Sequence, residues 1–112
     1  MRSMYALYFE EYENMYTVED EKGFATYKYD KKCNGCYIVN IFVKKEYRKT
    51  GHFMILADKV VAIAKEKGYN KLIGSVDPES NNPERSRKVL LKYGMEKLNV
   101  SGEDFEWYVK EI

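Results

Sequence analysis

Apolar and polar positions repeat along this chain with two different periods, and each change of period marks an element. In "SMYALYFEEYEN" the apolar residues Tyr5, Tyr8, Phe9 and Tyr12 keep the i, i+3, i+4, i+7 spacing of a helix face, with Ser3 as N-cap. "MYTVE" and "GFATYKY" alternate with period two around acidic turn residues and Gly23, which predicts a hairpin. The "KKCNG" turn leads into "CYIVNIFV", a nearly continuous apolar run that predicts a strand covered on both faces at the sheet centre. From His52 to Lys67 the positions Phe53, Leu56, Val60, Ile63 and Ala64 are helical in spacing, and Gly68 is a natural C-cap. "KLIGSV" is a short strand. Asn82 caps a helix that opens with Pro83 and stops at Gly94, after Tyr93. "MEKL" and "FEWYVKE" are two closing strands joined by the turn-forming "NVSGED".

The predicted order is helix, three strands, helix, strand, helix, two strands, with no repeat, linker or low-complexity segment. It is an α/β (α+β) pattern with a mixed sheet. The strand–helix–strand unit across "CYIVNIFV" and "KLIGSV" must have parallel strands and a right-handed crossover. With 112 residues the chain is expected to form a single domain, 1–112, burying ~65% of its unfolded surface in one core.

Charge changes the picture locally. The net charge of +1 predicts no general affinity for nucleic acid or membrane. Residues 1–21 carry six acids and one base, however, and residues 22–59 carry nine bases and three acids. Lys44, Lys45, Arg48 and Lys49 crowd the turn between the central strand and the next helix, followed by Gly51. Ligands of such sheets bind beyond the carboxyl ends of the strands. Cations, unpaired N–H groups and the positive helix end together make an anion site there, suited to phosphate. The loop is neither G-x-x-x-x-G-K-[ST] nor G-x-G-x-x-G.

No run of 18 apolar residues and no signal-peptide pattern occurs, so a cytoplasmic location is expected. Cys33 and Cys36 form one C-x-x-C inside a predicted turn, short of the four ligands of a zinc site and misplaced for redox work at a helix start. They read as structural or incidental, a bridge or shared metal being the lesser alternative, and no metal site is expected. The cationic "ERSRKVLLK" helix reads as a solvated face, and Trp107 in "FEWYV" as an inward core residue.

The turn "VKKEYRKTGH" resembles motif A of the GNAT superfamily of acyl-CoA-dependent N-acyltransferases, with Val43, Glu46, Tyr47, Arg48 and Gly51 in register. "NNPERSRKVLLKYGMEK" resembles that family's motif B through Ser86, Val89, Leu90, Lys92, Gly94 and Met95, with Asn82 one residue further from Ser86 than usual. The likeness extends over about residues 15–112. It implies a GNAT-like fold, N-terminally shortened, because the family's first strand and one of its first two helices have no counterpart. Short versions of this kind resemble bacteriophage proteins, which adds a viral origin to the expectations. The resemblance further implies acetyl-CoA as acyl donor. Ile41, Phe42 and Val43 would contact pantetheine and the acyl carbonyl. Arg48, Lys49, Thr50, Gly51, His52 and Phe53 would surround the pyrophosphate, and Asn82 would lie near the pantetheine arm.

Three positions depart from that pattern. Phe53 stands where the family has a small residue; its ring either packs in the core with Leu56 and Val60 or narrows the cofactor pocket. The family's tyrosine acid falls on Leu90, and the central strand lacks a carboxylate base, offering Tyr37 and Asn40 instead. Ser86, Tyr93 and Asn40 are the stand-in catalytic candidates, although Tyr93 and Ser86 also fit a packing stripe. His52 is a proton shuttle by titration range, or a phosphate neighbour or plain surface by position.

The reading is an N-acetyltransferase transferring an acetyl group from acetyl-CoA to a small-molecule or protein amine. The alternative is a catalytically degenerate GNAT-fold protein that engages a partner protein. A small exposed sheet edge offers a route to a homodimer without specifying one.

Overall fold

The computed structural model describes residues 3–100, 102 and 104–112, and at Ala6 and Phe9 only the backbone. The Phe9 part of the first helix face, and Ser101 and Glu103 of the last turn, lie outside the described residues. The elements are α1 (Met4–Tyr12), β1 (Tyr16–Glu19), β2 (Gly23–Asp30), β3 (Gly35–Val43), a 3-10 turn (Lys45–Tyr47), α2 (His52–Glu66), β4 (Lys71–Val76), α3 (Pro83–Lys92), β5 (Glu96–Lys97) and β6 (Glu106–Glu111). This is the order that the periodicities predict. The strands build one mixed sheet, β1-β2-β3-β4-β6-β5. The β3–β4 pair is parallel and the other four pairs are antiparallel.

One face of the sheet carries the core. Leu56, Ala57, Val60 and Ala64 of α2 pack over Ala25 and Tyr27 of β2, Cys36, Ile38 and Val43 of β3, Leu72 and Val76 of β4 and Tyr108 of β6. Leu56 and Val60 are fully buried, each stabilising the fold by about 1.5–3 kcal/mol. At the end of α2, Gly68 N donates to Lys65 O and Tyr69 N to Ala64 O, the paired bonds of a Schellman stop, which turn the chain directly into β4.

Four expectations change. β3 does sit inside the sheet, but only its first half is well covered, since Asn40 and Phe42 are exposed. The inward residue of β6 is Tyr108 rather than Trp107; α2 and α3 cover the Tyr108 face, which leaves Trp107 half-buried on the other. On the predicted face of α1, Tyr5 and Tyr12 are 78% and 71% exposed. In the "KKCNG" turn, Asn34 takes the left-handed conformation and Gly35 already belongs to β3, opposite Asp30. Both cysteines are free, Cys36 buried and Cys33 half-buried.

Candidate functional site

The strands β3 and β4 pair only from Gly35 to Tyr37 and from Lys71 to Ile73. Beyond that point β3 stays with β2 and β4 stays with β6, so the middle of the sheet forks. A register break accompanies the fork. Tyr27 faces Ile38 while Thr26 faces Asn40, which leaves Val39 as an extra residue with no partner on β2. Such a bulge bends its strand and adds twist, here on the strand that leaves β4. The gap is a cleft of about 440 Å³. Its walls are β3 from Ile38 to Val43, Gly74 and Ser75 of β4, Arg85, Ser86, Val89 and Leu90 of α3, and Arg48 and Phe53.

Small residues on β4 allow this closeness. A Cβ at Gly74 would lie 3.3 Å from Leu90 Cδ2, so only glycine lets α3 settle there without displacing Leu90. The helix is fixed from its other side by Arg87, whose Nε and Nη2 donate to the two Glu106 carboxylate oxygens at 2.8 and 2.6 Å. A third guanidinium bond goes to Glu84. The Arg87 bonds hold the Glu106 carboxyl at about 2, against the opposing effect of burial. Arg87 therefore does more than solvate the cationic face predicted for this helix. At the base of the fork the Tyr37 and Ser75 hydroxyls are hydrogen-bonded at 2.5 Å. Trp107 is the cross-strand partner of Ser75, and its ring centroid is 5.8 Å from that of Tyr37.

Above the fork lies the basic turn. Arg48 Nε donates to Val43 O at 2.8 Å, and its guanidinium carbon sits 5.5 Å from the Phe42 ring centre. This folds Arg48 back over the end of β3. Lys44, Lys45 and Lys49 are exposed. A further cation arrives from the β1–β2 turn: Lys44 N donates to Lys22 O, and the Lys22 ammonium lies over the Tyr47 ring. The Thr50 hydroxyl donates to Tyr47 O at 2.6 Å. Gly51 is the N-cap of α2 with φ 80°, a conformation that disfavours any side chain, and open space surrounds the position its Cβ would take. The first N–H groups of α2 thus face a roomy, positively charged corner.

His52 departs from the plain-surface placement considered for it. Its ring is 6% exposed and Nε2 lies 2.7 Å from Asp20 Oδ2. Asp20 also accepts the Lys22 and Gly23 backbone N–H groups through Oδ1, and Lys59 Nζ through Oδ2. Burial raises the Asp20 pKa, but the Lys22 N–H, His52 and Lys59 outweigh it and bring it to about 2. The imidazole therefore ties the β1–β2 turn to the start of α2, turned inward from the surface.

Asn40, Ile41, Phe42, Val43, Arg48, Phe53 and Ser86 border the cleft. Phe53 is half-buried, packs against the core and also forms part of the cleft wall. The Asn40 amide donates to Thr26 Oγ1 at 3.3 Å. Lys49, Thr50, Gly51 and His52 sit above, at the turn and helix start. Asn82 is the cap of α3, its Oδ1 accepting from Arg85 N at 3.2 Å. Tyr93 lies away from the cleft: its hydroxyl donates to Asp58 Oδ1 at 2.6 Å, and burial, then that bond, push the phenol well above its ordinary range. Val39, Gly74, Ser75 and Arg85 are wall residues that sequence reasoning did not single out, and only the small pair "GS" inside an apolar strand hinted at a close approach.

Comparison with known proteins agrees with this geometry. No curated protein matches the sequence. Among solved structures, a protein assigned as a GNAT-family acetyltransferase from Desulfovibrio desulfuricans aligns at TM-score 0.77 and 18% identity, over 96% of this chain and 74% of its own. The PaiA N-acetyltransferase of Thermoplasma acidophilum, solved with coenzyme A, aligns at 0.72 and 18%, over 95% and 66%. A protein assigned as a streptothricin acetyltransferase from Bacillus anthracis, solved with acetyl-coenzyme A, aligns at 0.69 and 21%, over 88% and 63%. Residues 2–95 match the acetyltransferase (GNAT) family model, and on that match the chain belongs to the GNAT acetyltransferase family.

Proposed function

We propose that this chain, as a single domain, is an acyl-CoA-dependent N-acetyltransferase that transfers acetyl from acetyl-CoA to a small-molecule or protein amine. The observation that carries this reading is the fork, which opens beneath the basic turn and the Gly51 cap of α2. The residues fit the donor at both ends. The space beside Gly51, the α2 N-terminus and the cations Lys22, Lys44, Lys45 and Lys49 suit a diphosphate. Past Tyr37, the β4-facing edge of β3 has no ladder partner, so its peptide groups are available to the amides of a pantetheine arm. Ile41, Phe42 and Val43 line that edge, and Asn82 stands at the head of the facing helix.

Acetyl-CoA supplies a thioester carbonyl. The chain supplies position and dipoles: past Tyr37, beside the bulge at Val39, the β4-facing peptide groups of β3 have no ladder partner and are available to a developing oxyanion. Holding donor and amine in one cleft lowers the barrier further through orientation. No described helix is long and apolar enough to cross a membrane.

The test is calorimetric titration of acetyl-CoA into the wild type, Gly51→Ala and Gly51→Glu. Both variants share the cost of the left-handed conformation; only glutamate adds bulk and negative charge to the anion corner. The expected result is micromolar binding by wild type, retained in weakened form by alanine and abolished by glutamate. Absence of wild-type binding, or equal binding by the glutamate variant, refutes the reading.

A further inference from the structure

Among the described residues that line the cleft there is no Asp, Glu, His, Lys, Cys or Tyr. Yet acyl transfer from a thioester to an amine must move a proton from nitrogen to sulfur. Two of the residues that border the cleft carry hydroxyls, Ser75 and Ser86. Ser86 is exposed on α3, whereas Ser75 lies at the base of the fork, with its Oγ 2.5 Å from the Tyr37 hydroxyl. Tyr37 is the last residue of β3 paired with β4, so this contact sits where the strands part.

We propose that Ser75 is the proton carrier of the transfer reaction, and that Tyr37 is the positioning residue that aims it. This rests on the acetyltransferase reading above. A serine hydroxyl has one proton to give and two lone pairs. One lone pair accepts the Tyr37 hydroxyl, which fixes the rotamer of Ser75. The other accepts a proton from the attacking amine as its nitrogen bonds to the acyl carbon and the carbon–sulfur bond breaks. The Ser75 proton passes to the departing sulfur. One proton leaves nitrogen, one reaches sulfur, and serine ends as it began, so no charged side chain is required. The Trp107 ring beside Tyr37 and the ladder pairing of Ser75 with Trp107 keep both hydroxyls at this position.

The experiment compares wild type, Ser75→Ala, Ser75→Thr and Tyr37→Phe. Acetyl-CoA binding is followed by calorimetry, and thiol release is followed with spermidine, tyramine and lysine as acceptors. All four proteins should bind acetyl-CoA within about threefold of one another. Ser75→Ala should lose about 100-fold in kcat with KM for acetyl-CoA little changed, the mark of a group acting in the transition state. Tyr37→Phe should lose about tenfold, Ser75→Thr should remain within about tenfold of wild type, and the Ala/Phe double variant should be no slower than Ser75→Ala. A purely structural role would lower binding and the thermal midpoint together, or make the two losses add. The proposal is overturned if Ser75→Ala keeps kcat within about threefold of wild type. It is also overturned if wild type binds acetyl-CoA but releases no thiol with any acceptor. Failure of wild type to bind acetyl-CoA instead refutes the acetyltransferase reading itself.

Discussion

Asp20 joins the two parts of the molecule that frame the anion corner, and its removal can be sized from the structure. In Asp20→Ala the Lys22 and Gly23 backbone N–H groups lose an acceptor at 2.8 and 3.1 Å, and the buried His52 ring loses its partner at 2.7 Å. The Lys22 N–H lies near solvent and the Gly23 N–H is only part-buried, so the buried imidazole is the larger cost. A buried polar group left without a charged partner costs about 1–3 kcal/mol. Titration gives a second route. The Asp20 carboxyl falls from 3.8 to about 2 on folding, which corresponds to about 2 kcal/mol. Because 24% of the side chain meets solvent, screening trims this to about 1–2 kcal/mol. The folded pKa is the lower one, so the contribution is complete above the unfolded value and disappears as pH falls from about 4 to about 2. Urea unfolding at pH 7 should show the variant about 2 kcal/mol less stable, and the gap should shrink steadily as the titration is repeated below pH 5. A gap under about 0.5 kcal/mol at pH 7, a size ordinary surface substitutions produce, would refute the argument. So would a gap that stays constant down to pH 3.

Three further outcomes are expected. In Gly23→Ala the new Cβ would stand 2.1 Å from Phe42 O and 2.9 Å from Val43 Cα; both are backbone, so the β2–β3 end must open, at about 1–3 kcal/mol in urea unfolding. Leu90→Ala removes the side chain packed on Gly74; for this half-buried leucine the loss should be about 1–2 kcal/mol, and calorimetry should show acetyl-CoA affinity changing with the widened cleft while the fold is kept. Arg87→Ala frees Glu106, whose pKa is depressed from 4.5 to about 2 chiefly by the Arg87 bond. Wild type should therefore lose thermal midpoint as pH drops below 4.5. The variant, already lower at pH 7, should respond less over that window.

The elements were legible because their periods are clean. Leu56, Val60 and Ala64 recur at helical spacing, and the cap pairs Asn82–Pro83 and Lys67–Gly68 mark helix ends locally. What stayed hidden depends on neighbours distant in sequence. Alternation in "FEWYV" defines two faces without saying which is covered. The more apolar face, with Trp107 and Val109, is the one that α2 and α3 leave open, and Tyr108 goes inside because Glu106 beside it is answered by Arg87. The bulge at Val39 has no local marker, since an extra residue in an apolar run looks like any other. The motifs placed the anion corner through Arg48 and Gly51. They could not place Lys22 or Asp20, which reach it only through the β1–β2 hairpin, and they gave no sign that the His52 ring turns inward to a partner 32 positions earlier.

The fork also bears on how the molecule comes apart. Three residue pairs and one hydroxyl bond join the half-sheet β1-β2-β3 to the half-sheet β4-β6-β5, with α2 spanning both. That seam is the weakest line through the middle of the sheet, so slow amide exchange should fade there ahead of the β2–β3 and β4–β6 interiors. Any molecule held between the two strands acts as a splint across the seam. At a concentration of 100 times its Kd it adds about 2.7 kcal/mol to unfolding, and it ties the two half-sheets together across the fork. Occupancy of the cleft would then be read as cooperativity of the whole protein.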